Sequence, residues 1–591
     1  MKRLTVLANV LIVTSLLLSA CATPTPEVIE KVVTKEVEKV VTQVVTQVVK
    51  ETVKETIIVE GTPQIVEKEV TKVVEKVVTP TPPSKKGGTF VSSINGDPAT
   101  LNGILGNDGA SLNVIGLSQG PLILGGENWG TLVAGELVES WEVSEDGKEW
   151  VFHLREDVQW HDGQPFTADD VLFTFQTIQD VDVASPFRER FMEGEDPIPF
   201  EKVDDYTVKA TLKEAVASFA TAISVPVIPK HILEGQDVNT AEFNQKPIGT
   251  GPFKMVEWRS GESVEMEANP DFYRGEPYLD RWVMRILPST DAALVALQTG
   301  EIDFGEISGK DVPKFLNNPD FTIVTRDRDL CDVLLFNSGK PIFQDARVKQ
   351  AMMYALDRQA LLDTALLGYG TLADSPFNQP VFVYQEGDLP QYAFDPEKAR
   401  ELLKEAGWED TDGDGIVEKD GEPFKIDLGA FTVAAVHQRI APLVQANWKD
   451  VGIDAAIQNV DVATFFQAAY QPDTEKPFDI QFTSWGLYGA DPDHYASFYA
   501  PEKQEFSFIN FYNKEIKALF DEGRATMDEA KRKEIYEEAE AKLWEELPVL
   551  PLFYRQTIYA INNRFNIDEA ELDSSRLPPF RYPEKVYVEG E

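Results

Sequence analysis

Three aspartates alternate at Asp410, Asp412 and Asp414, ahead of Gly415. That is the spacing at which a calcium loop offers carboxylate oxygens from its first, third and fifth positions before a turn-forming glycine. Glu418 falls at the ninth position of the same frame. Gly421 takes the twelfth, where a bidentate carboxylate is needed, and Glu422 comes one place late. The run from Asp410 to Gly415 is therefore a candidate cation turn, with calcium as its ion, and falls short of an EF-hand.

Other chemistry is scarce. The five histidines, His153, His161, His231, His437 and His494, form no His-Glu-x-x-His or similar ligand spacing. No Gly-x-Ser-x-Gly run offers a nucleophile elbow. Gly249-Thr250-Gly251 is followed by Pro252 and Phe253, without the Lys-Ser or Lys-Thr of a phosphate loop, and reads as a structural turn. Acids are so numerous that a carboxylate pair stays open, yet no local run places one. The reading is a chain that is not an enzyme and requires no cofactor.

The elements that would carry a binding site belong to a large acidic body. With 591 residues the chain needs more than one core, and its apolar share of 43% can fill several. A formal charge of −44 excludes nucleic acid as a partner, because phosphate contacts need clustered Lys and Arg. Two cysteines, Cys21 and Cys331, build no disulfide framework.

At the N-terminus, Lys2 and Arg3 precede an apolar run from Leu4 to Leu18, then Leu18-Ser19-Ala20-Cys21. This is a signal peptide over residues 1–20, and its end looks like a bacterial lipobox, implying lipidation of Cys21 and a membrane anchor. Residues 21–86 form a linker rich in Val, Thr, Glu and Lys. Ile29, Val33, Val37, Val40, Val44 and Val48 recur close to an 11-residue repeat, which suits a helical stalk or coiled coil. A low-complexity spacer is favoured, because Val and Thr are poor helix formers.

Leu132 to Phe175 reads as two strands, a His161-Asp162-Gly163 turn, and a helix capped by Thr167 with Asp169 and Asp170 in its first turn. Lys246 to Pro252, Ala268 to Gly275, Gly300-Glu301-Ile302-Asp303, Phe343 to Ala351, Ala355 to Arg358 and Leu547 to Tyr554 follow as further turns, helices and strands. Strands alternating with helices place the body in the α/β class.

The run Thr167-Ala168-Asp169-Asp170-Val171, with the Trp-Glu and aromatic-His-Asp-Gly segments before it, resembles the signature of the family 5 solute-binding proteins of ABC importers. The later runs resemble that family's motifs in the same order, over residues 87–591. The resemblance implies an α/β, two-lobe periplasmic-binding-protein type II (Venus flytrap) fold with an extra subdomain in lobe I. Lobe I would span 87–330 with the subdomain at about 129–225, lobe II 331–547, and the return to lobe I 548–591, with crossing strands near Leu330 and Pro548. It implies a lipid-anchored extracytoplasmic receptor, on the outer face of the membrane, that passes a small solute to ABC permease subunits. The solute is a peptide by family default.

Asn107, Asp108, Trp129, Asn337, Trp485, Tyr488 and Asp491 are the ligand-facing positions implied. Peptide-binding relatives carry an acid three residues after the Trp, where this chain has Tyr488. That loses an ammonium clamp and gains an aromatic face suited to an oligosaccharide, the alternative ligand. Asn107 and Asp108 also read as a turn. A stand-alone surface sensor is the remaining alternative, since fold does not fix function.

Overall fold

A computed structural model describes residues 43–59, 62–78, 87–125, 132–133, 136–377, 389–432, 434–468, 476, 478–486, 491–501, 509–567 and 580–588. The chain divides into two units, Met1–Pro83 and Ser84–Glu591. In the first, β1 (Gln43–Val59) and β2 (Thr62–Val78) pair antiparallel from Gln43↔Val78 to Val59↔Thr62. A strand ribbon thus stands where a helical stalk or a structureless spacer was expected. Val, Ile and Thr lose side-chain freedom in a helix and suit a pleated backbone, so β propensity overrides the apolar spacing. Cys21 lies outside the described residues.

The second unit holds two lobes. Lobe I opens with β3 (Thr89–Ile94) and α1 (Gly109–Ser118). A subdomain follows, made of β4 (Val138–Val143), β5 (Glu149–Leu154), α2 (Ala168–Gln179), β6 (Phe200–Asp204) and β7 (Thr207–Thr211). Its sheet runs β6-β7-β5-β4, and its own core includes Trp150, Phe152, Trp160, Phe166 and Phe175. The start of α2 is a capping box: Thr167 N donates to Asp170 Oδ2 at 3.0 Å, satisfying a donor that the helix leaves free.

Lobe I continues with β8 (Phe253–Arg259), β9 (Ser263–Ala268) and β10 (Arg281–Ile286), which join β3 in a sheet ordered β8-β9-β10-β3. The His-Asp-Gly turn has a structural job here. His161 Nδ1 accepts from Gly249 N at 3.2 Å, and Nε2 lies 3.0 Å from Gly251 O. One neutral tautomer satisfies both contacts, with the proton on Nε2. Two motifs far apart in sequence are thereby pinned together, and burial pushes the His161 pKa down to about 4. Gly249 is required by its neighbours, since an added Cβ would sit 1.9 Å from Ser118 O.

β11 (Phe304–Ile307) ends lobe I's first pass, and β12 (Phe321–Phe336) leads into lobe II. There follow α3 (Arg358–Leu366), β13 (Gly370–Leu372), β14 (Lys425–Phe431), α4 (Ala435–Asp450), β15 (Asp454–Val460) and β16 (Ile480–Trp485). Helices α5 (Lys514–Ala525) and α6 (Glu529–Glu546) precede β17 (Val549–Asn562). One sheet, β11-β17-β12-β16-β14-β15, runs through both lobes, and β13 adds to β17. In lobe II the period-2 alternation of β12 feeds two cores. Leu334 and Phe336 join one, and Cys331, Val333 and Leu335 the other. Asp332 interrupts the apolar run.

β12 and β17 pair antiparallel along both lobes, with a register shift between Asp327 and Cys331 opposite Gln556 and Tyr554. The lobes cross there. Among the described residues no helix is long and apolar enough to cross a membrane.

Candidate functional site

β14, β15 and β16 are parallel in lobe II, β12 antiparallel to them. In open α/β sheets a ligand meets the carboxyl ends of such strands. At that end lies a pocket of about 570 Å³ built by both lobes. Lobe I contributes residues 306–310, from the end of β11 onward. Lobe II contributes 365–367 and Tyr369, from the last turn of α3 onward, together with Ala435 and Arg439 on the first turns of α4. Arg555, Gln556 and Ile558 of β17 form its hinge wall.

Behind that wall is a buried polar cluster. The carboxylate of Asp332, with no exposed surface, accepts from Arg555 Nε and Nη2 at 2.6 Å each and from Ser484 Oγ at 2.7 Å. His437 Nε2 lies 3.3 Å from Asp332 Oδ1 and 3.1 Å from Ser484 Oγ. Burial opposes the ionised form, but Arg555, His437 and Ser484 outweigh it and hold the Asp332 carboxyl below its usual range. Ser, His and Asp stand together here, yet not as a nucleophile with its base. A catalytic triad puts Asp on one imidazole nitrogen and Ser on the other, whereas Asp332 and Ser484 share Nε2 and Nδ1 is buried without a partner among the described residues. Ser484 spends its proton on Asp332.

Opposite the hinge the lobes also touch. Ala217 N of the subdomain donates to Arg524 O at 2.8 Å, and Ser218 Oγ to Asp493 Oδ2 at 3.2 Å. Met527 of lobe II packs against the subdomain core.

The implied ligand positions scatter. Trp129 and Tyr488 lie outside the described residues, as does the side chain of Trp485, whose backbone closes β16 against Cys331. Asn337 is not among the residues that line the pocket. It follows the end of β12 that lies away from the hinge, because β12 runs antiparallel to β16. It is buried there, donating from N to Asp479 O at 2.9 Å and accepting from Asn510 Nδ2 at 3.1 Å. Asp491 is not among them either. Arg532 donates to its two oxygens at 2.7 and 2.6 Å in a buried bidentate pair, so the carboxylate is already committed. Asp108 caps α1, accepting from Ser111 N at 3.0 Å, with Asn107 exposed beside it. Neither lines the pocket.

The aspartate turn comes together more fully than the spacing required. Oxygens of Asp410, Asp412, Asp414 and Glu418 lie within 4.8 Å of one another. The loop's own amides already hold them: Gly413 N donates to Asp410 Oδ1 at 2.7 Å and Asp414 N to Asp412 Oδ1 at 3.0 Å. Sequence reasoning passed over Lys310, Tyr369, Arg439 and Arg555. Only Arg555 carried a signal, directly following the recognised Leu547–Tyr554 run.

Comparison with known proteins follows the same lines. Residues 133–506 match the model of the bacterial extracellular solute-binding proteins, family 5 Middle. The oligopeptide-binding protein AppA of Bacillus subtilis is 31% identical over 479 residues, covering 80% of this chain and 87% of that protein. Among solved structures, the ABC transporter substrate-binding protein CtaP of Listeria monocytogenes superposes with a TM-score of 0.75 at 29% identity, covering 86% of this chain and all of that one. The structure of B. subtilis AppA in complex with a nonapeptide gives 0.66 at 28% identity, with coverage of 86% and 100%.

Proposed function

The chain belongs to the bacterial extracellular solute-binding proteins of family 5, whose members bind solutes and are not enzymes, and from that premise we propose that it captures a peptide-like solute between its lobes and delivers it to an ABC permease. The observation that carries this reading is the pocket lined at once by lobe I, lobe II and the β17 hinge strand. A solute touching both walls binds the closed arrangement better than the open one, and only that difference shifts the population toward closure. The permease would then read the closed form. The relative solved with a nonapeptide supports a peptide as the cargo. A charged pocket rim favours a charged solute over a neutral oligosaccharide.

Calorimetric titration with short peptides, joined to small-angle scattering, tests the reading. Binding with a fall in radius of gyration supports it, and binding of an oligosaccharide alone overturns the peptide assignment. Co-purification of a permease and an ATPase separates importer from stand-alone sensor. Cys21 is proposed as the lipidated residue, so globomycin should block processing of the precursor. Calcium is proposed at Asp410, Asp412, Asp414 and Glu418, where titration with Ca²⁺ should raise the melting temperature by mass action and Asp412→Asn should abolish the rise.

A further inference from the structure

A second cavity, of about 450 Å³, lies wholly within lobe I. Three segments end on it. Gln298 and Gly300 close the helix Thr290–Thr299, Asn318 and Asp320 lead into β12, and Asn562 turns the chain out of β17. Asn562 stands six residues along β17 from Gln556 of the interlobe pocket, about 20 Å of strand, and the two cavities share no lining residue.

The frame of this cavity is held by hydrogen bonds that leave other polar groups idle. Asn563 is fully engaged, donating from Nδ2 to Pro319 O at 2.7 Å and accepting from Thr322 Oγ1 at 2.7 Å. Arg564 is engaged too, donating to the two oxygens of Asp303 at 2.8 and 2.7 Å. Asn318 and Asn562 each turn Oδ1 back on the chain, accepting from Asp320 N at 3.0 Å and from Arg564 N at 3.1 Å. The Nδ2 of each is then a fixed donor without a partner among the described residues. The exposed amide of Gln298 and the exposed carboxylate of Asp320 have none there either. At the helix end Gly300 N, at a φ of 74°, donates back to Ala296 O and Leu297 O, so the carbonyls of Gln298 and Thr299 remain as acceptors. Phe321 is half-buried, braced by the ring of Phe315 at 5.2 Å in an edge contact, and adds an apolar surface.

This set of groups is selective. An anion would meet Asp320 and the negative end of a helix dipole, and a bare cation would meet three amide N–H donors. A saccharide suits both kinds of group, because each hydroxyl donates and accepts while one face of a pyranose ring is C–H. We propose that this cavity is a second ligand site, for a neutral saccharide hydrogen-bonded by Gln298, Asn318, Asp320 and Asn562 with its ring against Phe321. Its volume is that of a small-molecule site. The site is independent of the interlobe cleft and of the solute carried there.

The test uses the full mature chain, with N,N′-diacetylchitobiose and cellobiose as probes, in calorimetry and saturation-transfer NMR. Wild type is compared with Gln298→Ala and Asp320→Ala, whose exposed side chains hold no contact of the fold, and circular dichroism confirms folding. At least one disaccharide should bind with a Kd of about 1 mM, as expected for a few hydrogen bonds in an open site. Each substitution should weaken it about 3- to 10-fold and leave binding of tetraalanine unchanged. Because every wall belongs to lobe I, the radius of gyration should not move on saturation with the disaccharide. If neither disaccharide binds at about 10 mM, the proposal is overturned. It is overturned equally if both variants bind as wild type does, or if the disaccharide shrinks the radius of gyration, since the sugar then sits in the interlobe cleft.

Discussion

Arg555, on the strand that returns through the hinge, places two nitrogens 2.6 Å from the two oxygens of Asp332, on the strand that goes out through it. The pair ties together the two strands that link the lobes, at the register shift where they cross. It also engages the Arg555 guanidinium, which lines the pocket together with Lys310 and Arg439.

Breaking that pair on one side should cost far more than removing it. Arg555→Met leaves a buried, uncompensated carboxylate, and a loss of about 3–5 kcal/mol in urea unfolding is expected. Arg555→Met with Asp332→Leu should recover much of it. A double variant no more stable than the single one would refute this account.

His161 should make stability depend on mild acid. Its folded pKa of about 4 lies below the ordinary 6.5, so the unfolded chain binds the proton first. Stability is complete above about pH 6.5, declines as pH falls, and levels off near 4, for a total of about 3 kcal/mol. His161→Gln should flatten that slope between pH 4 and 6.5, and an unchanged slope would place the proton elsewhere.

Ser218 tests the contact opposite the hinge. Its hydroxyl donates to Asp493 across the lobes at 3.2 Å. Ser218→Ala should reduce solute affinity by about 2- to 10-fold, the worth of one hydrogen bond made only on closure. The melting temperature of the free protein should barely move. A large drop in the free protein's stability would show that the contact serves the fold instead.

Asp491 separates a structural acid from a ligand clamp. Asp491→Asn strands Arg532, which is itself buried, and should destabilise the fold by about 3–5 kcal/mol. Where the variant is still folded, solute affinity should match wild type. Loss of affinity without loss of stability would return Asp491 to the binding site.

Much of this architecture was legible because its signals are local. Thr167 and Asp170 announce a helix start within four residues. The site was less legible for the same reason. Lys310, Arg439 and Arg555 come from three segments that meet only through the sheet order, and no spacing in the chain records their meeting. Which end of β12 carries Asn337 relative to the pocket depends on strand direction, and a lone sequence does not give direction. Asp491 sat in the right loop, but its carboxylate is claimed by Arg532 from a helix forty residues on. In the linker, apolar spacing spoke for a helix while Val and Thr spoke for strands, and the residue types prevailed.

β17 is the central strand of both halves: it lies between β11 and β12 in lobe I, and between β13 and β12 in lobe II. Neither half acquires its middle until residues near 549–562 have been synthesised, and those residues must then find partners far upstream, on β11, β12 and β13. Such distant pairing forms slowly. A nascent copy can therefore close its subdomain core early, while its two halves stay unjoined until this late strand is made.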